Sequence, residues 1–263
     1  HHLQISEGGV LLFMTTFFIS DLHLSPDKPE LIQLVVNFLR QHTHEVSTLY
    51  LLGDIFNTWL GDDVVPSEFS PLIEQLRLLK QQGIAIYLMV GNRDFMLGKA
   101  FAKRCGGELL KDPTVVDLYG QKILLMHGDS LCTDDISYQR YRLWSRNKFI
   151  QWCFLRLPRR FRNNISDKIK QKSKEKKQYK TAMIMDVNQN AVDKVIQQHK
   201  VKYLIHGHTH RPAIHHLTHD NNDFYRIVLG DWHDQISYLK CDAHSLTLVD
   251  HRIKDSQAEL KFS

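Results

Sequence analysis

The sequence predicts a layered α/β sandwich that carries a helical cap. Three observations point there. Short apolar strands alternate with amphipathic helices through the first half, a strand-free helical and basic stretch follows, and strands return near the end. At 263 residues the chain can bury a full hydrophobic core, and one domain with an insertion suits that length better than two independent domains.

In order, residues 16–20 read as a strand, 30–41 as a helix, 48–52 as a strand, 70–82 as a helix, 84–90 as a strand and 99–105 as a short helix. The apolar runs 114–118 and 122–126 flank Tyr119-Gly120, a turn signal, and form a hairpin. From Asp134 to about Gln198 the pattern is helical, first aromatic and then basic. Strands resume at 203–205, 226–229, 237–241 and 246–249.

No apolar run has the length of a membrane span. The stretch from Val10 to Ile19 leads straight into Asp21-Leu22-His23 without a small-residue cleavage site, so it is read as a buried first strand and not as a signal peptide. Residues 1–13 precede Met14 and are expected to be an added remnant or a disordered extension. Cys105, Cys132, Cys153 and Cys241 are far apart with no CxxC pair, which argues against a zinc knuckle or disulfide framework and suits a reducing compartment.

The net charge of +5 conceals an asymmetry. Residues 156–180 hold 11 Lys and Arg against Asp167 and Glu175, a local charge of +9 on a body of about −4. Such a segment suits an anionic partner or a solvated face.

Polar residues stand at the carboxyl end of one predicted strand after another. Asp21 and His23 follow the first, Asp54 the second within Gly53-Asp54, and Asn92 the third within Gly91-Asn92-Arg93-Asp94. His127 ends the hairpin within His127-Gly128-Asp129, and His206-Gly207-His208-Thr209-His210 follows a later strand. Strand ends in an open α/β sheet converge on one edge. Carboxylate, imidazole and amide oxygen suit hard-to-borderline divalent ions. Two such ions bridged by a carboxylate can activate a hydroxide and neutralise phosphoryl oxygens. A lone Gly-Asp is usually a turn and a histidine cluster is usually surface, the reading given to His215-His216 and His219. Five motifs at successive strand ends together predict a two-metal hydrolase of phosphate esters or anhydrides.

The set resembles the calcineurin-like metallophosphoesterases, whose motifs run D-x-H, G-D, G-N-H-E, H-G and G-H-x-H. The resemblance implies two mixed β-sheets flanked by helices. It also implies one ion on Asp21, His23, Asp54 and His210, and a second on Asp54, Asn92, His127 and His208, with Asp54 bridging. His206 matches no ligand of that pattern. Arg93 replaces the histidine that assists the leaving group in the wider family. An arginine stays charged and donates no proton, but its fork clamps phosphate oxygens, which tilts the substrate toward an anhydride with a good leaving group.

The segments around Asp54, Arg93, His127 to Asp135, Ile184 to Gln189, and Leu204 to Arg211 are similar to the bacterial UDP-2,3-diacylglucosamine hydrolase family of lipid A synthesis. That resemblance implies two Mn2+ ions and hydrolysis of UDP-2,3-diacylglucosamine to UMP and the lipid monophosphate. The catalytic residues would be Asp54, Asn92, Arg93 and His208. Substrate contacts would come from Asn92, Arg93, Asp135, Ser173, Lys177, Lys180 and His208, with Tyr138 and Lys170 as weaker candidates. The implied location is cytoplasmic, peripheral on the anionic inner-membrane surface.

The core is expected at 14–133 and 181–263, with the cap at 134–180. Within the cap, Tyr138, Tyr141, Leu143, Trp144, Phe149, Trp152 and Phe154 sit among basic residues, and Pro158 breaks the pattern, predicting two helices. Those aromatic residues suit packing onto the core, an acyl-chain groove or a membrane surface. Aromatic residues interleaved with cations also suit nucleic acid; the family resemblance favours lipid, and no nucleic acid is expected. The alternatives are a phosphodiesterase or nuclease on the same core, or a basic binding module with an inert metal site.

Overall fold

The computed structural model describes residues 15–177, 186–219 and 222–262. Two sheets face each other. The larger has the order β12-β11-β10-β1-β2-β3-β4, built from β1 (Thr15–Ile19), β2 (Val46–Leu52), β3 (Ala85–Met89), β4 (Glu108–Leu109), β10 (Ser237–Cys241), β11 (Ser245–Asp250) and β12 (Gln257–Lys261). The smaller has the order β5-β6-β7-β9-β8, from β5 (Thr114–Leu118), β6 (Gln121–Met126), β7 (Tyr203–His206), β8 (Ala213–His219) and β9 (Asn222–Val228).

Strand alternation sorts the core into layers. On β1, Phe17 and Ile19 face the helical side, whereas Phe18 faces the second sheet beside Tyr50, Leu52 and Met89. Ile123, Leu125, Tyr203, Ile205 and Ile227 meet them from the smaller sheet. A third cluster packs Leu124, Met126 and Leu204 beneath Val192 and Ile196 of α7 (Gln189–His199). The result is helix, sheet, sheet, helix.

The crossover helices follow from local signals. In α1 (Pro29–Gln41), Pro29 opens the helix, and Leu31, Ile32, Val35, Val36, Phe38 and Leu39 make one buried stripe at three- and four-residue spacing. The helix α2 (Ser70–Gln81) likewise begins with a proline and buries Leu72, Ile73, Leu76 and Leu79. A shorter helix, α3 (Lys99–Arg104), buries Phe101 and Ala102. The hairpin of β5 and β6 turns on Tyr119 and Gly120, both at positive φ (55° and 81°), the backbone a two-residue hairpin loop needs.

The cap has three helices where two were predicted: α4 (Ile136–Ser145), α5 (Lys148–Leu155) and α6 (Arg159–Lys177). The extra break is at Asn147, whose side-chain oxygen accepts from the backbone N–H groups of Phe149 and Ile150 at 2.9 and 3.2 Å, capping a new helix. Strands β4, β8 and β12 were also absent from the sequence reading. His215 and His216, read as surface histidines, lie within β8, where His216 is exposed and pairs with Asp223 at 2.8 Å. The side chain of His219 lies outside the described residues, as do residues 1–14 and 178–185.

Candidate metal centre

Every motif that was read as a strand end comes to one edge of the sandwich. Asp21 and His23 leave β1, Asp54 leaves β2, Asn92 leaves β3, His127 leaves β6, and His208 and His210 leave β7. The backbone at this edge is unusual. Asp21, His23, Asp54, His208 and His210 all have positive φ, between 47° and 70°. Such conformations are disfavoured for residues with a Cβ, by about 1–3 kcal/mol where strain is strong. The surrounding sheets hold them there.

Two glycines show how tightly the loops close. A Cβ on Gly91 would lie 2.1 Å from Asp54 Oδ1, and one on Gly207 would lie 2.2 Å from Asp21 Oδ2. Only glycine lets the neighbouring backbone approach the carboxylates so closely. Buried Asp94 braces the same loops by accepting from the N–H groups of Gly91, Ile55 and Phe56 at 2.7, 2.8 and 3.3 Å.

The side chains form two adjoining groups. In the first, His23 Nε2 lies 3.1 Å from His210 Nε2, and His210 Nε2 lies 3.3 Å from Asp21 Oδ1. In the second, Asn92 Oδ1 lies 3.0 Å from His127 Nε2 and 2.8 Å from His208 Nδ1. Asp54 stands between them, with Oδ2 at 3.9 Å from His23 Nδ1 and Oδ1 at 3.7 Å from His127 Nε2. Candidate ligand atoms of Asp21, His23 and His210, and those of Asp21, Asp54 and His127, lie within 4.8 Å of one another.

Donor chemistry fits divalent cations. Asp21 Oδ2 accepts from Ser20 Oγ and His208 N at 2.6 and 2.9 Å, yet buried Oδ1 accepts no aligned hydrogen bond. A buried carboxylate oxygen aimed into a ring of imidazoles is a position a cation satisfies. His127 Nδ1 lies 2.9 Å from the Leu52 carbonyl oxygen, a partner to which only an N–H can donate, and this turns Nε2 toward the site.

Electrostatics divides the histidines. Burial lowers His23 to about 4 and His208 to about 3, so both are neutral donors. Burial also opposes charge on His127 and His210, but acidic neighbours outweigh it. Asp54, Asp21 and Asp129 lift His127 to about 9, and Asp21 and Asp231 lift His210 to about 10. For Asp54, burial is the largest influence and raises it to about 6.

His206 stands apart. It is buried, its Nδ1 lies 2.8 Å from the Gly207 carbonyl oxygen, and its Nε2 faces Arg226 Nη1 at 3.3 Å. Burial and Arg226 lower it to about 3. It braces the loop that carries His208 and His210.

Sequence reasoning missed Asp231. Its Oδ2 lies 3.3 Å from His210 Nδ1, and its Oδ1 pairs with Arg252 Nη1 at 2.5 Å. A carboxylate behind a ligating imidazole fixes the ring and raises its basicity. The signal was present: Gly230-Asp231 is a further Gly-Asp just past a strand, β9.

A cavity of about 510 Å³ opens from this edge under the cap. Asn92, Arg93, His208, His210 and Asp135 line its polar end. Trp59, Phe95, Met96, Phe154, Ile165 and Ile169 line the other. Tyr138 tilts over His208, ring centroids 6.1 Å apart, and donates to buried Asp129 Oδ2 at 2.7 Å. Asp135 caps α4 by accepting from Tyr138 N at 3.0 Å. Ser173 and Lys177 fall on the last turns of α6, but their side chains, that of Lys170, and all of Lys180 lie outside the described residues.

Arginines tie the cap to the core. Asp129 accepts from Arg142 Nε at 3.0 Å, and Arg146 Nη2 donates to the Gly91 carbonyl at 3.0 Å. On α6, Arg162 is buried and its guanidinium donates to the Leu60 carbonyl and both oxygens of Asp63, at 2.8, 2.8 and 2.5 Å. The cap's outer face is left apolar: Leu143, Phe149 and Phe161 are 72%, 71% and 60% exposed. Trp152 is half exposed, with Arg156 stacked 3.9 Å above its ring.

Comparison with known proteins agrees with this architecture. Residues 14–212 match the family model of the calcineurin-like phosphoesterases. The chain is 46% identical over 234 residues to a UDP-2,3-diacylglucosamine hydrolase of Histophilus somni (strain 2336), covering 89% of this chain and 99% of that protein. It is 45% identical over 236 residues to the enzyme of that name from Serratia proteamaculans (strain 568), covering 90% and 98%. With the one from Aeromonas salmonicida (strain A449) the identity is 47% over 228 residues, covering 87% and 90%. The chain therefore belongs to the calcineurin-like phosphoesterases and, within them, to the UDP-2,3-diacylglucosamine hydrolase family.

Proposed function

We propose that this protein hydrolyses the pyrophosphate bond of UDP-2,3-diacylglucosamine, releasing UMP and 2,3-diacylglucosamine 1-phosphate. The observation that carries this reading is the cavity itself, with a cation-binding edge at one end and an apolar cap at the other. A substrate with a diphosphate and acyl chains matches both ends.

Asp21, His23, Asp54 and His210 would hold one Mn2+, and Asp54, Asn92, His127 and His208 the other. Bound there, two divalent cations supply Lewis acidity that activates water and neutralises phosphoryl charge. The chain's own residues do the rest. Arg93 N donates to Asp54 Oδ1 at 2.7 Å and so steadies the carboxylate that both ions would share. The Arg93 side chain lines the cavity, where its fork can bind diphosphate oxygens whose charge grows as the bond to the leaving phosphate breaks. No general acid is required of it, because a phosphate leaves readily as an anion. Asp135 lines the same polar end, and the apolar wall takes acyl chains and excludes water. Ser173, Lys177 and Lys180 are proposed as cationic and polar contacts to the substrate from α6 and the segment after it.

The same reading places the protein on the cytoplasmic face of the inner membrane. Among the described residues no helix is long and apolar enough to cross a membrane. The exposed apolar residues of the cap, interleaved with arginines, suit an anionic bilayer surface, where apolar side chains enter the interface and cations meet head groups.

With Mn2+ supplied, purified protein is expected to release UMP from UDP-2,3-diacylglucosamine and to leave single-stranded and duplex nucleic acid intact. Nuclease activity without UMP release would replace this reading by the nuclease one. Sedimentation with anionic vesicles, weakened by Phe149→Ser together with Trp152→Ser, tests the membrane surface.

A further inference from the structure

A second cavity, of about 360 Å³, adjoins the apolar one at His210. The two share Thr209, His210 and Arg211 as a common wall. Its size is within the range of small-ligand sites, about 300–1,000 Å³. Its character differs from the first: Arg226, Arg252, Arg211 and His215 line it against the single acid Asp186, and its apolar lining among the described residues is Pro212, Ala213 and Val228.

The cations are not equally neutralised. Arg252 is held by Asp231 and Asp250 at 2.5 and 2.6 Å, and Arg211 pairs with Asp186. Arg226 is 8% exposed, and among the described residues its hydrogen-bond partner is the His206 ring, Nη1 to Nε2 at 3.3 Å. Among the described residues its buried Nε has no hydrogen-bond partner, and neither has Thr209 Oγ1. A buried guanidinium without a carboxylate partner is unfavourable unless an anion completes it. Burial lowers its proton affinity, an effect Asp186 only partly offsets.

We infer that this second cavity is a nucleotide subsite that receives the uridine monophosphate half of the substrate, with Arg226 and Thr209 on its phosphate side and the Asp186 carboxylate, paired with Arg211, on its ribose side. The inference rests on the pyrophosphate hydrolysis proposed above. If the acyl chains occupy the apolar cavity and the reacting phosphates meet the metal edge, the nucleotide must leave that edge on another side. The cationic cavity adjoins it at His210. A carboxylate such as Asp186 is a common acceptor for ribose hydroxyls.

The test is equilibrium binding, separate from turnover. Calorimetric titrations of the Mn2+-loaded protein would use UMP, uridine, inorganic phosphate and 2,3-diacylglucosamine 1-phosphate. Wild-type protein is expected to bind UMP at least about tenfold more tightly than either uridine or phosphate, because both halves contribute. Arg226→Met should weaken UMP about tenfold and leave the lipid monophosphate within about twofold. Ala213→Trp narrows the cavity without removing a charge, should do the same, and keeps the test decisive if the arginine variant does not fold.

Unchanged UMP affinity in the folded variants overturns the subsite. So does equal weakening of both products, which marks Arg226 as a structural brace. Phosphate binding as tightly as UMP would show an anion site without nucleotide recognition, and also overturns it. Wild-type hydrolysis of the lipid substrate, measured in parallel, separates these outcomes from failure of the proposed reaction.

Discussion

The metal edge and the cap are built on different principles. The edge is assembled from strand ends of two sheets, its carboxylates are buried, and its backbone is held at positive φ by surrounding structure. The cap is three helices on one side of that edge, tied down by charged contacts and bearing exposed apolar residues. A rigid edge gives fixed charge positions, which bond cleavage between phosphates requires. A loosely held apolar cap gives adaptable surface, which acyl chains and bilayers require. On the proposed function the edge determines the reaction and the cap the substrate, and each is expected to be breakable without the other.

The largest expected effect is at the bridge between the two ligand groups. Asp54→Ala should lower turnover by roughly 10³-fold or more, since it removes a preorganised charge shared by both groups. Circular dichroism should stay native, and metal analysis should show fewer than two Mn2+ per chain. Turnover near the wild-type rate would contradict the ligand assignment.

One layer out, Asp231→Asn should weaken metal binding about 10- to 100-fold, the usual consequence of losing a carboxylate behind a ligating imidazole. A competitive chelator titration reads this directly. Unchanged affinity would make Asp231 merely a partner for Arg252.

A smaller effect is expected from Arg162→Met, which frees α6 from Leu60 and Asp63. It should raise KM for the lipid substrate by about threefold while kcat on a small diester stays within about twofold, a loss of binding and not of transition-state stabilisation. Faster proteolysis between α5 and α6 should accompany it. A matching loss on the small diester would show that the cap also shapes the edge.

The smallest effect is a proton count. In metal-stripped protein His127 and His210 hold their protons to about 9 and about 10. A ligating nitrogen must give up its proton, so Mn2+ binding at pH 7 should release up to about two protons per chain. Apparent metal affinity should accordingly rise with pH until those values are passed. Titration in weakly buffered solution checks the sign.

Much of the edge was legible in the sequence because each motif is local. Gly53-Asp54 or His127-Gly128 declares both a tight turn and a ligand within two residues, and strand ends bring such pairs together. Asp231 carries the same Gly-Asp signal and even an Asp-x-His spacing to His233, whose Nε2 lies 2.9 Å from its Oδ2, but only the fold sets it behind His210. Strand β12 (QAELK) is polar, and β8 is rich in histidine. Their partners β11 and β9 make them strands, not their own periodicity. In the cap, composition showed that aromatic residues were present but not which way they face. Phe154 points into the cavity and Phe149 to the outside, although they lie five positions apart on one helix. That sorting depends on what the rest of the chain covers.

The most direct test of the division between edge and cap is a ratio. It is kcat/KM for UDP-2,3-diacylglucosamine over kcat/KM for bis(4-nitrophenyl) phosphate, measured with Mn2+ for wild type and Phe154→Ala. Removing one half-buried aromatic ring from the proposed acyl wall forfeits about 1.5–3 kcal/mol of the burial a seated acyl chain would complete, so the ratio should fall at least about tenfold while the small diester is cleaved as before. An unchanged ratio, or equal losses on both substrates, would contradict the claim that the cap selects the substrate and the metal edge cleaves it.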